Sequence, residues 1–303
     1  MNNLPAPEHI DISVIIVNYN TKDLTIQCLN SVFRQKSVKV EVIVVDNSSS
    51  DDSVSAIKKL YPHILLLENK KNLGFARANN QAIERSQGKF VLLLNSDTVL
   101  PEDDALFKMF QFLLNNPRVG IAGGKILKQG GTLDWPCKRS FQTPPIFFYR
   151  SLKLDKFFPH SKRFGKYHLT YLNEDEQHEV DAITGAFFMI RRETIQEIGL
   201  LDENLFMYSE DMDWCYRAKE HGWKVYYYPE VKVLHYKSES SKKKSYQMIY
   251  WWYYSTWYVY KKHTAQKYNF LINYLVLLGF SFMYVLSMLG NVMKSSHSIP
   301  SRK

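Results

Sequence analysis

The stretch Phe90-Val91-Leu92-Leu93-Leu94-Asn95-Ser96-Asp97 decides how the chain is read. Five consecutive apolar residues fit a strand buried on both faces, the pattern of a parallel sheet. The run then ends in an amide, a hydroxyl and a carboxylate. In open α/β sheets the ligand sits beyond the carboxyl ends of the strands, so Asp97 stands where a hard cation or polar ligand would be held. Taken alone, Asn95-Ser96-Asp97 reads equally as an ordinary turn toward Pro101, because turns favour the same residues.

Working outward, Ile12 to Val17 is a second apolar run, closed by Asn18-Tyr19-Asn20. Val40 to Val45 ends at Asp46-Asn47, and Ile64 to Leu67 ends at Glu68-Asn69. Between the runs, apolar residues recur at helical spacing: Leu24, Cys28, Leu29 and Val32, and later Phe75, Ala78, Ala82 and Ile83. Strand starts near 12, 40, 64 and 90 leave room for one helix each. This is the βαβ period, which implies parallel strands and right-handed crossovers. It puts Asn18, Asp46, Asn69 and Asp97 on one sheet edge, and four converging polar strand ends are harder to read as turns than one. Asp46 also reads as a cap for the helix that follows, through Leu60. No Gly-x-Gly-x-x-Gly follows the first strand and no Walker loop occurs, which disfavours dinucleotide and P-loop folds.

The 303 residues carry a net charge of +9 and are 45% hydrophobic, enough for a sizeable core. The base is concentrated late, at Lys237, Lys242, Lys243, Lys244, Lys261 and Lys262, ahead of an apolar tail. That placement suits a membrane surface better than a nucleic-acid groove. Cys28, Cys137 and Cys215 are odd in number and far apart, which excludes a disulfide framework and points to reduced thiols in a cytosolic compartment. Met1 to His9 has no apolar segment of the signal-peptide kind.

Leu106, Met109, Phe110 and Leu113 predict a helix broken at Pro117, and Val119 to Ile126 a strand. Over 130–178 periodicity is lost, and an excursion of this length holds an acceptor or forms a lid. Val180 to Ile190 reads as one strand interrupted by Gly185-Ala186, small residues that permit close backbone approach. Glu210, Asp211 and Asp213 open a predicted helix, where the dipole welcomes anions whatever their function. Arg217 reads as a salt-bridge partner or as a phosphate ligand. Lys224 to Tyr228 and Val231 to Tyr236 read as two strands split by Pro229, the second carrying His235 as a packed residue or a metal ligand.

In order along the chain, Ser13-Val14-Ile15-Ile16-Val17-Asn18-Tyr19-Asn20, Val45-Asp46-Asn47-Ser48-Ser49, Asn72-Leu73-Gly74-Phe75-Ala76, Leu94-Asn95-Ser96-Asp97, Gly185-Ala186-Phe187 and Glu210-Asp211-Met212-Asp213-Trp214 form one set. The set resembles the inverting nucleotide-sugar glycosyltransferases of family 2, over about residues 11–240. It is most similar to the rhamnosyltransferase-like branch that builds bacterial cell-surface polysaccharides. The resemblance implies a GT-A fold: α/β, with a mostly parallel Rossmann-like sheet flanked by helices. It implies a nucleotide-diphosphate sugar as donor, such as dTDP-L-rhamnose, and a glycan or lipid-linked acceptor. It implies Asp211 as general base, with Glu210, Gly185, Asp213 and Trp214 on the acceptor side. Asn18, Asp46, Asn72, Gly74, Arg77, Asn95, Ser96 and Arg217 would face the donor, and Asp97 and His235 would hold Mg²⁺ or Mn²⁺. One departure stands out: Asn95 replaces the first aspartate of the Asp-x-Asp motif, leaving a single carboxylate there. A non-catalytic subunit of the same fold, binding nucleotide sugar or glycan, is the alternative; the presence of Asp46, Asp97 and Asp211 speaks against it.

The expected organisation is an extension over 1–10, a GT-A domain over 11–240 and a membrane-associated region over 241–303. Tyr246 to Tyr260 holds nine Tyr or Trp residues, which suits a headgroup layer or a helix covering the domain's core. Phe270 to Met293 runs 24 residues without a charge, and a span needs roughly 20. Lysines flank it on both sides, so spanning and lying in the plane both stay open. The expected location is the cytoplasmic face of the cell membrane, with no nucleic-acid partner.

Overall fold

The computed structural model describes residues 9–236 and 246–296. Four parallel strands, β1 (Ile12–Asn18), β2 (Val40–Asp46), β3 (Leu65–Glu68) and β4 (Phe90–Asn95), stand in the order β3-β2-β1-β4. Helices α1 (Lys22–Phe33), α2 (Ser53–Leu60) and α3 (Phe75–Ile83) connect them. Ile15, Ile16, Ile43, Val44, Val91 and Leu92 are all buried, which is why these strands read as continuous apolar runs rather than alternating ones. The register sets Asn18 opposite Asp46, Asp46 opposite Glu68, and Val17 opposite Asn95. The polar strand ends therefore share one edge, as the βαβ spacing predicts. Strand order reverses between β1 and β4, and the crevice of an open sheet lies at such a reversal.

Beyond β4 the sheet becomes mixed. It continues through β8 (Phe187–Arg191), β6 (Val119–Lys128) and β9 (Lys224–His235) to β5 (Thr98–Val99), with β7 (His178–Val180) also paired to β9. β8 is antiparallel to both β4 and β6. Helix α4 (Ala105–Asn115) precedes β6, and α7 (Arg192–Ile198) and α8 (Glu210–Glu220) lie between β8 and β9.

Two expectations are corrected. Val180 to Ile190 is not one strand: β7 and β8 join different neighbours, and residues 181–186, with Gly185, cross between them. The Pro229 break does not divide the last strand. β9 runs through it, and its register with β6 slips between Gly124 opposite Tyr228 and Lys125 opposite Lys232. A proline has no N–H for the ladder, so a local irregularity accommodates it.

The excursion contains α5 (Pro144–Ser151) and α6 (Leu154–Phe157), then turns up to β7. At the C-terminus, α9 (Tyr246–His263) packs on α8 and on the loop ahead of it. Ser255 donates to the Met207 carbonyl at 2.8 Å, and the Tyr216 and His263 rings stack at 4.6 Å. Much of the aromatic segment thus covers the core. Helix α10 (Phe270–Ser296) folds back along α9, with Tyr260 bonded to Asn273 at 2.6 Å and Tyr253 to the Met283 carbonyl at 2.9 Å. All three cysteines are buried and unpaired.

Candidate active site

At the sheet edge, Asn18 is fully buried. Its amide donates to Asp46 Oδ1 at 2.7 Å and Ser49 Oγ at 2.9 Å, and accepts from Thr21 and Thr25. Both N–H groups and both lone pairs are engaged, so Asn18 clamps Asp46 and has no capacity left for a ligand. Asp46 is 2% exposed and also takes the Ser49 N–H. Asn72 and Gly74 shape the neighbouring turn: Asn72 Oδ1 accepts from Asn47 and from the Gly74 N–H. Gly74 has φ 82°, and a Cβ there would lie 2.3 Å from the Phe206 carbonyl oxygen, so only glycine fits.

The end of β4 links this edge to a second constellation. Ser96 pairs with Thr21 at 2.9 Å, and the Asp97 carboxylate meets His235 Nε2 at 3.1 Å. The Asn95 N–H donates to the Ala186 carbonyl at 3.1 Å, and the adjacent Gly185 N–H donates to Asp211 Oδ2 at 2.9 Å. Two hydrogen bonds therefore connect the end of β4, at Asn95, to Asp211.

Asp211 arrives through a strained turn. Tyr208 and Ser209 both take left-handed backbone angles, φ 71° and 64°, before α8 begins. Such residues cost of order 1–3 kcal/mol each and persist where the surrounding structure over-determines them. Arg139 donates from Nη2 to Asp211 Oδ2 at 2.6 Å and to the Ile183 carbonyl at 2.6 Å, while the Met212 N–H binds Asp211 Oδ1 at 2.7 Å. Oδ2 has two donors and Oδ1 one, which leaves Oδ1 an open lone pair. Glu210 is 8% exposed and its Oε2 has no hydrogen-bond partner. Burial, then the Asp211 charge, pushes its carboxyl up to about 8.

These two carboxyl groups line a cleft of about 490 Å³. Arg139, Arg150 and Tyr167 of the excursion form one wall, Asn95 and Gly185 adjoin the sheet edge, and Trp252, Thr256 and Tyr260 of α9 close the other side. Arg150 stacks on Tyr167 with 3.8 Å between guanidinium and ring centre.

Four expected site residues lie elsewhere. Arg77 is ion-paired with Glu203 at 3.1 Å on the surface. Arg217 binds Asp213 at 2.9 Å and the carbonyls of Ile198 and Leu200, so its charge closes a helix end instead of facing a donor. Trp214 is fully buried against Phe188, with Nε1 on the Gly199 carbonyl. Asp213 is fully buried among Arg217, Lys262 and His263, the last at 2.7 Å. Burial pushes its carboxyl up, but the His263 hydrogen bond and the charges of Arg217 and Lys262 outweigh it and hold it at about 2. Positions 210, 213, 214 and 217 stand at i, i+3, i+4 and i+7 of α8 and share one face, so neighbouring elements make the difference: Phe188 and the Gly199 carbonyl take up Trp214, and Arg217, Lys262 and His263 surround Asp213.

A profile of glycosyl transferase family 2 matches residues 13–199, more than half of the chain. The chain belongs to glycosyl transferase family 2. It is 27% identical over 242 residues to an N-acetylglucosaminyl-diphospho-decaprenol L-rhamnosyltransferase of Mycobacterium tuberculosis, covering 76% of this chain and 77% of that protein. To a low-salt glycan biosynthesis hexosyltransferase of Haloferax volcanii it is 28% identical over 231 residues, 74% of this chain and 67% of the relative. Among solved structures, the mannosyltransferase PcManGT from Pyrobaculum calidifontis in complex with GDP-Man and Mn²⁺ matches with a TM-score of 0.58 at 19% identity, over 84% of this chain and 64% of that one. GalNAc-T7 with UDP, GalNAc and Mn²⁺ gives 0.59 at 17% identity, over 84% and 48%. This chain thus spans under two thirds of either solved chain. The likeness establishes the GT-A fold.

Among the described residues no three His, Cys, Asp or Glu side chains gather as a metal cluster. The donor set of Asp97 and His235 is a carboxylate and an imidazole in contact at the sheet edge. That set fits a divalent ion, which carboxylate and imidazole both ligate. Arg139 escaped the sequence reading: it is one of eight basic residues in an aperiodic excursion, and nothing local marks it.

Proposed function

We propose that this family 2 transferase moves a sugar, with inversion, from a nucleotide-diphosphate donor to a hydroxyl of a lipid-linked glycan in cell-surface polysaccharide synthesis. The observation that supports the reading is the two-bond link from Asp211 through Gly185-Ala186 to Asn95, which ties the candidate base to the end of β4, two residues ahead of Asp97. The donor diphosphate lies at the sheet edge, where Asp97 and His235 would hold Mg²⁺ or Mn²⁺; that ion offsets the charge gained by the leaving group. The acceptor occupies the cleft.

An acceptor hydroxyl is a poor nucleophile and needs a base. Asp211 takes its proton at the open position of Oδ1. The hydroxyl oxygen bonds to the anomeric carbon as the bond from that carbon to the diphosphate oxygen breaks, and attack from the opposite face inverts the centre. Arg139 and the two backbone N–H groups fix the carboxylate's orientation. Glu210, protonated at neutral pH, offers a donor beside it. The similarity to a rhamnosyltransferase whose name gives a diphospho-decaprenol acceptor supports both the donor and the acceptor class.

A panel of nucleotide sugars with Mg²⁺ or Mn²⁺, scored by thermal shift and by hydrolysis, tests this. A thymidine-linked deoxyhexose is expected to give the largest response. No response to any nucleotide sugar with either metal would contradict the proposal.

A further inference from the structure

We propose that the chain docks on an anionic bilayer as a monotopic protein, with α10 lying in the membrane plane and the α5–α6 segment beside it. The segment Phe270–Asn291 of α10 is long and apolar enough to cross a membrane. Its two sides have different neighbours. From Asn273 to Ser287, about 21 Å of helix, the inner side is bonded to α9 through Tyr260 and Tyr253. The outer side exposes Leu271, Leu275, Leu278, Phe282, Leu286 and Leu289, spaced three and four residues apart as one continuous stripe.

Level with the middle of α10, α9 contacts the loop just ahead of Asp211. Trp251 stacks on Phe206 at 4.9 Å, and Ser255 binds the Met207 carbonyl. A crossing α10 would carry that loop, with Asp211 and Arg139 behind it, to the depth of the hydrocarbon. Charged groups are strongly disfavoured there and no nucleotide could reach them. Lying in the plane keeps the cleft in water and only the outer stripe in lipid.

The excursion extends the same surface. Phe147 of α5 stacks on Phe280 of α10 at 4.4 Å, so the two elements are contiguous. Phe148 and Leu152, one helical turn apart, are exposed, as are Phe157 at 74% and Phe158. Residues 150–166 hold six basic side chains, including exposed Lys153, Lys156, Lys162 and Lys166, against one acid, Asp155. Lys261 and Lys267, at the turn between α9 and α10, are exposed too. Exposed aromatics ringed by lysines complement the anionic headgroup layer. A second copy of the chain would bring the same positive charge face to face and is disfavoured.

The test uses the full chain and holds whether or not the transferase reading stands. In vesicle flotation, binding is expected on phosphatidylglycerol-containing vesicles, to weaken with salt, and to be slight on phosphatidylcholine alone. Lys153→Glu with Lys156→Glu lowers partition at least about tenfold. Phe157→Ser with Phe158→Ser does likewise, while melting temperature is retained. On inverted membrane vesicles from an expression host, a tag after Lys303 is cleaved by added protease. Equal, salt-insensitive binding to both vesicle types would overturn the proposal. So would variants that bind like the parent, a protected tag, or a dimer that the variants dissociate.

Discussion

Replacing Glu210 by glutamine changes how stability depends on pH. The Glu210 carboxyl is pushed from 4.5 up to about 8 by burial and by Asp211, and Arg139 offsets part of that. Between those values the folded chain keeps a proton that the unfolded chain has released. The proton's contribution to stability is therefore complete below about 4.5 and is lost as pH rises through about 8. The slope is on the order of 1 kcal/mol per pH unit, and the window holds on the order of 4 kcal/mol. Glutamine has the same shape and cannot ionise, so this slope vanishes in Glu210→Gln. Urea unfolding of both proteins at pH 5, 6, 7 and 8 reads the difference. The variant should gain on the parent by roughly 3–4 kcal/mol between pH 5 and pH 8. Parallel curves would mean that folded Glu210 is ionised throughout, and the protonated neighbour assigned to Asp211 would be lost.

Three further outcomes follow from the same geometry. Asp97→Ala should remove the metal dependence of nucleotide-sugar binding, measured by calorimetry with and without Mn²⁺; unchanged dependence would take Asp97 out of the site. Arg139→Met should slow transfer on the order of 10- to 100-fold, equivalent to about 1–3 kcal/mol of barrier, with donor affinity retained; a rate equal to the parent's would deny Arg139 a positioning role. Asp213→Ala leaves Arg217, Lys262 and His263 without their shared carboxylate and should destabilise the fold by about 3–5 kcal/mol. In the parent protein, the stability contributed by Asp213 should persist above about pH 4 and fall as pH drops toward 2, which acid titration of the unfolding midpoint would show.

The first half of the fold was legible because β1, β2 and β4 are buried on both faces and read as uninterrupted apolar runs. Their in-register ends carried Asn18, Asp46 and Asn95 to one edge without further information. The mixed half was less legible. β8 is only five residues long and pairs antiparallel with strands far along the chain, and β5 has two residues. Side-chain direction was the other limit. Helical period puts Glu210, Asp213, Trp214 and Arg217 on one face of α8 and does not say which of them a neighbouring element seals off, so the inward packing of Asp213, Trp214 and Arg217 is not legible in the sequence. Arg139 and the α9 wall are tertiary contacts across 72 and about 40 residues, which no local pattern records.

The most direct measurement is sugar transfer by Asp211→Asn, made alongside calorimetry of nucleotide-sugar binding. The asparagine keeps the size of the side chain but cannot take the proton. Donor affinity close to the parent's, with transfer abolished, is the expected result; turnover at the parent's rate would remove the base from the mechanism and contradict the account.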